Sequence, residues 1–404
     1  MKPTLDFLYS LHIFGMKLGL RNIRALLRSI GNPHRSFKTI HIAGTNGKGS
    51  TSSMIAAILT AAGYKVGLYT SPHLVHFNER IRINGEMISD ADIVRYTAQL
   101  QTQIIKRKAT FFEATTAVAF KYFADQNVDI AVIETGLGGR LDSTNVLKPV
   151  VSVITSIGKD HTEQLGKTIR AIATEKAGII KRHVPVVIGK LSGSAKRAIG
   201  RLAEEHGSPV VDSTLLSIPA EIELQLKGEH QIGNAKTAIA AVNQVSRHML
   251  IGNAAIRKGL ERTTQLTGLR ARLEFMFGTP DMLLDVAHNP DGIATLITEL
   301  KKSEHKKIVV IFGVMRDKDY RSILLQLKKV QPTIIATAPS IERALPSHQL
   351  ATACKMLGIP TVEAATVREA LKKGNAITGK NGLLVITGSH YLVGEAIPLL
   401  EKKS

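Results

Sequence analysis

The sequence predicts two α/β domains joined by a short linker, and three observations carry that reading. Short β-branched runs alternate with segments whose apolar residues recur at helical spacing. The strand-like runs are apolar throughout rather than alternately polar, as in a parallel sheet covered on both faces. The alternation also occurs twice, interrupted by a mostly helical stretch and a break near residues 265–272.

In chain order, KTIHIA (38–43) reads as a strand and residues 49–63 as the helix after it. VGLYT (66–70) is a second strand, ATTAVAFKYFADQ (114–126) a helix and DIAVIE (129–134) a third strand. VVSVITSI and VPVVIG follow as buried strands. Residues 231–260 are mostly helical, and TTQLTGLRAR (263–272) breaks the pattern. The second alternation supplies the strands DMLLDVAHNP, KKIVVIFG, TIIATA and NGLLVITG. The expected division is residues 1–266, a linker at 267–272, and a smaller domain at 273–404.

With 404 residues, two or three domains are expected. One cysteine, Cys354, excludes a disulfide framework and a cysteine-based zinc site, and fits a reducing cytoplasm. The first twenty residues read as an amphipathic helix rather than a secretory signal, and no apolar run is long enough to span a bilayer. The formal charge of +20 raises nucleic acid as a partner. The basic residues are spread along the chain, however, and no nucleic-acid-binding motif accompanies them. A positive field equally gathers small polyanions and a nucleotide triphosphate.

Four polar stretches follow predicted strands. The first, IAGTNGKGST (42–51), has the chemistry of a phosphate-binding loop but not the spacing G-x-x-x-x-G-K-S/T. Gly44, Thr45, Asn46, Gly47, Lys48 and Gly49 would present backbone N–H groups and an ammonium to phosphate oxygens, and Ser50 or Thr51 a hydroxyl to Mg²⁺. The second, SPHLVHFNERIRINGEMIS (71–89), is rich in His, Arg and Asn. The third, ETGLGGRLDSTN (134–145), sets Glu134 at the carboxyl end of a strand, where a hard cation could use it. In the fourth, SIGKDHTEQLG (156–166), His161 could complete a metal site with Glu134 and a loop hydroxyl.

Taken together with LDVAHNP (284–290), these stretches resemble the folate-dependent branch of the Mur ligase family, in that order and over nearly the whole chain. The shortened phosphate loop is a feature of that branch. The resemblance implies an ATP-binding P-loop domain with a mostly parallel sheet and a smaller Rossmann-like domain that closes over the nucleotide. It implies an ATP-dependent ligase joining L-glutamate to a pteridine carboxylate, dihydropteroate or a reduced folate, through an acyl phosphate. ATP and Mg²⁺ would be needed, with up to two ions, and the enzyme would be a cytoplasmic monomer with no nucleic-acid or membrane partner.

The same resemblance assigns Lys48 to the phosphates, and Ser50, Glu134 and His161 to magnesium. Lys176, in TEKAGII, is a cation or, if carbamylated, a ligand for a second metal. Asn234 would meet adenine, Arg272 the ATP phosphates, and Asp285 and His288 the nucleotide and the reacting phosphate. Ser71, Pro72 and His73 would line the pterin side, helped by MKLGLRNI (16–23). The linker departs from the pattern: Arg270-Ala271-Arg272-Leu273-Glu274 stands where members commonly read Pro-Gly-Arg-Leu/Phe-Glu, and His390 follows Ser389 where Leu or Phe is usual. Two other readings remain open on the residues alone: a ligase of cell-wall precursors, and a P-loop ATPase acting as a switch or nucleic-acid binder.

Overall fold

The structure, a computed structural model, describes residues 1–15 and 19–401. Of the stretch likened to a pterin-pocket helix, residues 16–18 lie outside the described residues.

The first compact unit is built on an eight-stranded sheet. Its strands are β1 (Lys38–Ala43), β2 (Val66–Tyr69), β3 (Ile81–Ile83), β4 (Glu86–Met87), β5 (Ile130–Glu134), β6 (Val151–Ile154), β7 (Val186–Ile188) and β8 (Val210–Asp212), in the order β4-β3-β2-β5-β1-β6-β7-β8. From β2 to β8 all pairs are parallel; β3 and β4 are added antiparallel at one edge. Strands β1, β5, β6 and β7 are buried along their length but for Lys38, as the unbroken apolar runs require of a sheet covered on both sides. Because β5 and β6 flank β1, the chain changes direction across the sheet there. Three strand ends therefore stand side by side, with Ile42 opposite Glu134 and Ala43 opposite Ile154. Such a switch point opens a crevice beyond the carboxyl ends of the strands.

The second compact unit comprises residues 270–404 together with 73–77 and 226–230. Its six-stranded sheet contains β9 (Glu274–Met276), β10 (Asp281–Leu284), β11 (Ile308–Phe312), β12 (Thr333–Ala336), β13 (Thr361–Glu363) and β14 (Leu383–Thr387), in the order β13-β12-β11-β14-β10-β9. All pairs are parallel except β10 with β9. One apolar cluster around Leu283, Phe312 and Leu324 covers one face, and another around Ile311, Leu371 and Leu392 covers the other. This is the Mur-ligase-like α/β architecture that the sequence led us to expect. The short strands β3, β4, β8, β9 and β13 were not foreseen. Part of the expected break is also a five-residue helix, Thr263–Thr267, ended by Gly268 at φ +67°.

Local chemistry sets the helix starts. Thr110 and Glu113 form a capping box: the Thr110 hydroxyl accepts from the Glu113 N–H at 3.2 Å, and the Glu113 carboxylate accepts from the Thr110 N–H at 2.8 Å. Helix Asn253–Glu261 packs against helix Lys48–Ala61 so closely that a Cβ on Gly259 would lie 2.5 Å from Ile58 Cα. Gly259→Ala is therefore expected to destabilise the protein by about 2 kcal/mol through overpacking, read as a lower urea midpoint at unchanged slope. An unaltered midpoint would show that the two helices separate without cost.

Candidate active site

The phosphate-type loop leaves β1 and enters helix Lys48–Ala61 through Gly47, whose φ of +81° is left-handed. Hydroxyls at the end of β6 staple the loop. Thr155 Oγ1 donates to the Asn46 carbonyl at 2.7 Å, Ser156 Oγ accepts from Asn46 N–H at 2.9 Å, and the Thr45 N–H donates to the Ser156 carbonyl at 2.8 Å. A side chain at Gly44 would run into the Thr155 hydroxyl. Asn234 sits over Gly47, its Oδ1 2.5 Å from where a Cβ would be, while its Nδ2 donates to Gln231 Oε1 at 2.8 Å.

Two lysines converge on one oxygen of this loop. Lys48 Nζ donates to the Gly44 carbonyl at 3.1 Å and to that of Thr45 at 3.3 Å. Lys176 Nζ reaches the same Gly44 carbonyl at 2.8 Å from helix Ile169–Ala177. Lys176 is buried, and burial together with the Lys48 charge lowers its pKa to about 7, against the opposing pull of Asp160 and Asp142. The nearest described counter-charge to Lys48 is Glu134, buried at the end of β5, 3.9 Å away.

Ser50 is buried and accepts from Gln231 Nε2 at 3.4 Å. The neighbouring hydroxyls of Thr51 and Ser52 are buried with no hydrogen-bond partner. Among the described residues no group of three His, Cys, Asp or Glu side chains is placed to hold a metal. His161 caps a four-residue helix at φ +49°, with its N–H on Asp160 Oδ1 at 2.9 Å. It does not complete a protein-only cluster with Glu134. Mg²⁺ does not need one: it keeps water and phosphate oxygens and takes one or two protein oxygens. A buried carboxylate and a buried hydroxyl beside a phosphate-type loop fit that demand.

The stretch after Glu134 is pinned to the helix that carries Lys176. The Arg140 N–H donates to the Glu175 carbonyl at 2.8 Å, and its guanidinium meets the Glu175 carboxylate at 2.9 and 3.1 Å. Asn145 Nδ2 donates to the Arg140 and Gly178 carbonyls, both at 2.9 Å, and Lys181 Nζ donates to Asn145 Oδ1 at 2.7 Å.

The SPH run is divided. Ser71 and Pro72, joined by a cis bond, belong to the first unit, whereas His73–Phe77 belongs to the second, where Leu74 and Val75 pack on its core. In the second unit Asp285 follows β10, buried. Its carboxylate accepts from the Leu273 N–H at 3.0 Å and the Ala287 N–H at 2.9 Å. Burial raises its pKa, opposed by those N–H groups and by Arg272. His288 Nδ1 bonds the Val286 carbonyl at 2.9 Å and therefore carries the proton. Its ring lies 5.4 Å from that of His390, the first residue of helix His390–Glu401.

Sequence reasoning passed over Thr155 and, within the stretch 156–166 that it singled out, gave Ser156 and Asp160 no role. Their only signal was position: each lies just past the end of a strand that neighbours the loop strand.

Both domains match known families. Residues 42–215 match the Mur ligase middle domain and residues 271–390 the glutamate ligase domain of Mur ligases. The fold and the loop thus define a carbon–nitrogen ligase of the Mur class. The chain is 35% identical to the dihydrofolate synthase/folylpolyglutamate synthase of Bacillus subtilis, over 95% of each chain. It superposes on E. coli FolC in complex with DHPP and ADP with a TM-score of 0.90 at 28% identity, covering 99% of this chain and 98% of that one. The bifunctional Yersinia pestis enzyme complexed with AMPPNP and a Mn ion gives a TM-score of 0.88 at 27% identity, with 98% and 97% covered. The chain belongs to the folylpolyglutamate synthase/dihydrofolate synthase family.

The depressed Lys176 pKa has a sign that can be checked. Between about 7 and the usual 10.5 the unfolded chain holds a proton that the folded chain does not, so this residue makes stability rise with pH across that window. In metal-free, bicarbonate-free buffer, the stability gained between pH 7.5 and 9.5 in urea titrations should be smaller in Lys176→Met than in the parent. Equal gains would remove the assignment.

Proposed function

We propose that the protein uses Mg-ATP to join L-glutamate by an amide bond to the carboxylate of dihydropteroate, of a reduced folate, or of both. It does so in the cytoplasm as a monomer, with no nucleic-acid or membrane partner. The observation that carries the reading is the pair of lysines on the Gly44 carbonyl beside the buried Glu134, in a chain of this family.

A carboxylate resists attack by an amine at neutral pH because it lacks a leaving group. Transfer of the γ-phosphoryl group to its oxygen gives an acyl phosphate and ADP. The glutamate amine then attacks the carbonyl carbon, and the tetrahedral intermediate expels phosphate. The protein's task is to gather several anions and to stabilise the charge moving between them, with no nucleophile of its own.

Lys48 exchanges its bonds to the loop carbonyls for β- and γ-phosphate oxygens. The loop N–H groups from Gly44 to Thr51 cradle the remaining oxygens. Ser50 and Glu134 would hold the magnesium, with His161 as a further ligand. When bound, the ion neutralises charge on the phosphoryl oxygens. Asn234 serves adenine by exchanging Gln231 for a purine edge. Arg272 and Asp285 serve the nucleotide, and His288 the reacting phosphate, with its proton fixed on Nδ1. Ser71, Pro72 and His73 serve the pterin side.

Lys176 is set for a modification. An amine with a pKa of about 7 is largely neutral at physiological pH and can add to carbon dioxide, forming a carbamate and releasing a proton. The product is an anion next to Lys48, able to take a second divalent ion. ¹³C NMR in ¹³C-bicarbonate should show one carbamate resonance that Lys176→Ala abolishes. Its absence from the parent protein would leave Lys176 an unmodified amine.

The deciding assay for the function is ADP release from Mg-ATP, with dihydropteroate and tetrahydrofolate compared as acceptors. Release should require acceptor and L-glutamate together, and Lys48→Ala or Glu134→Ala should lower kcat/KM by about 10³-fold. Turnover of ATP without a pteridine carboxylate would overturn the reading.

A further inference from the structure

In the linker two non-glycine residues are left-handed in near succession: Ala271 at φ +57° and Leu273 at φ +50°. Both are buried, and Arg272 lies between them. L-residues avoid this region because Cβ crowds the backbone, so the conformation persists only where the surroundings impose it.

The surroundings here are ionic. The Glu274 carboxylate accepts from the Ala271 N–H at 2.7 Å with one oxygen and from Arg270 Nε at 2.6 Å with the other. Arg270 Nη1 extends the chain to Glu401 Oε1 at 3.1 Å. On the far side of Arg272, Asp285 accepts from the Leu273 N–H at 3.0 Å, and the Val286 N–H reaches the Ala271 carbonyl at 3.3 Å. Arg272 Nη1 rests on that same Ala271 carbonyl at 3.2 Å. The backbone is therefore fixed on both sides of Arg272, and its guanidinium leans on the residue that Glu274 holds.

Glycine reaches φ +57° without strain and proline restricts its own φ; Arg270 and Ala271 do neither. We propose that Arg270 and Glu274 are positioning residues for Arg272: the Glu274 carboxylate, clamped on Arg270 and on the Ala271 N–H, holds the left-handed backbone at Ala271 and so fixes the orientation of the guanidinium. The inference rests on the reading that Arg272 serves the nucleotide phosphates.

The test compares Arg272→Ala, Glu274→Gln, Arg270→Ala, Ala271→Gly and the double variant Ala271→Gly/Glu274→Gln. It measures KM for ATP and kcat at saturating acceptor and glutamate, with thermal midpoints alongside. A glutamine offers one acceptor oxygen where the carboxylate offers two, so Glu274→Gln loses one of the two bonds. It should raise KM for ATP about 10-fold, a change of about 1.4 kcal/mol, with kcat altered by less than about 2-fold. Ala271→Gly alone should resemble the parent. In the double variant it should bring KM back to within about 2-fold, because glycine reaches the left-handed conformation without the strain that the lost bond offsets in alanine. Arg270→Ala should raise KM in the same direction and carries the test if Glu274→Gln does not fold.

If Arg272→Ala leaves KM for ATP unchanged, the reading of Arg272 fails and the inference with it. If Arg272→Ala raises KM while Glu274→Gln and Arg270→Ala do not, or if Ala271→Gly fails to rescue, the positioning role is overturned and the reading of Arg272 stands.

Discussion

One carbonyl oxygen, that of Gly44, accepts from two lysines, and the design of the first unit follows from that crowding. Two amines gathered on one carbonyl repel one another whenever both carry a proton. A carbonyl dipole and one carboxylate 3.9 Å from Lys48 offset part of this, and the Lys176 pKa is lowered to about 7, by burial first and by the Lys48 charge second. The arrangement is poised for incoming negative charge. A polyphosphate would relieve the repulsion, and so would conversion of Lys176 to an anion. The preference for anions is thus built into the apo protein.

That crowding is affordable because the groups are held by different strands of one sheet. The loop with Lys48 leaves β1, Glu134 ends β5, and the hydroxyls that staple the loop end β6. In a parallel sheet neighbouring strand ends stay in register without any help from side chains, as Ile42 opposite Glu134 shows. Lys176 comes from the far end of a helix rather than from a strand end or the loop after it, and it needs a separate tie. Arg140, Asn145 and Lys181 supply it. The segment after Glu134 thus works at both ends: its first residue is the carboxylate, and its last residues anchor the helix of the buried lysine.

The sequence made the central strands and the phosphate loop legible because both are local signals. A buried parallel strand must be apolar along its length, and a loop that approaches phosphate needs glycine and lysine at short spacing. The edge strands β4, β8, β9 and β13, and β3 beside β4, were not legible: they are two or three residues long, and pairing with a neighbour decides them, not their own pattern. The division of the SPH run was hidden for a related reason. Nothing local says that Leu74 and Val75 bury against a core formed about two hundred residues later. Thr155, Ser156 and Asp160 read as ordinary polar residues after a strand. They acquire meaning once β6 is known to lie against β1.

The linker shows a third way in which a sequence can mislead. Loss of Pro and Gly from a turn reads as loss of its geometry, yet the structure keeps a left-handed residue at Ala271. The left-handed conformation that glycine would reach without strain is here held by a carboxylate three residues on, itself paired with the arginine one residue before. A turn specified by backbone preference is insensitive to ionic strength. One specified by Arg270, Glu274 and Glu401 is not, since these side chains are partly exposed and their attraction is screened by salt. The left-handed backbone at Ala271 therefore carries a dependence on ionic strength that a turn made by backbone preference would lack.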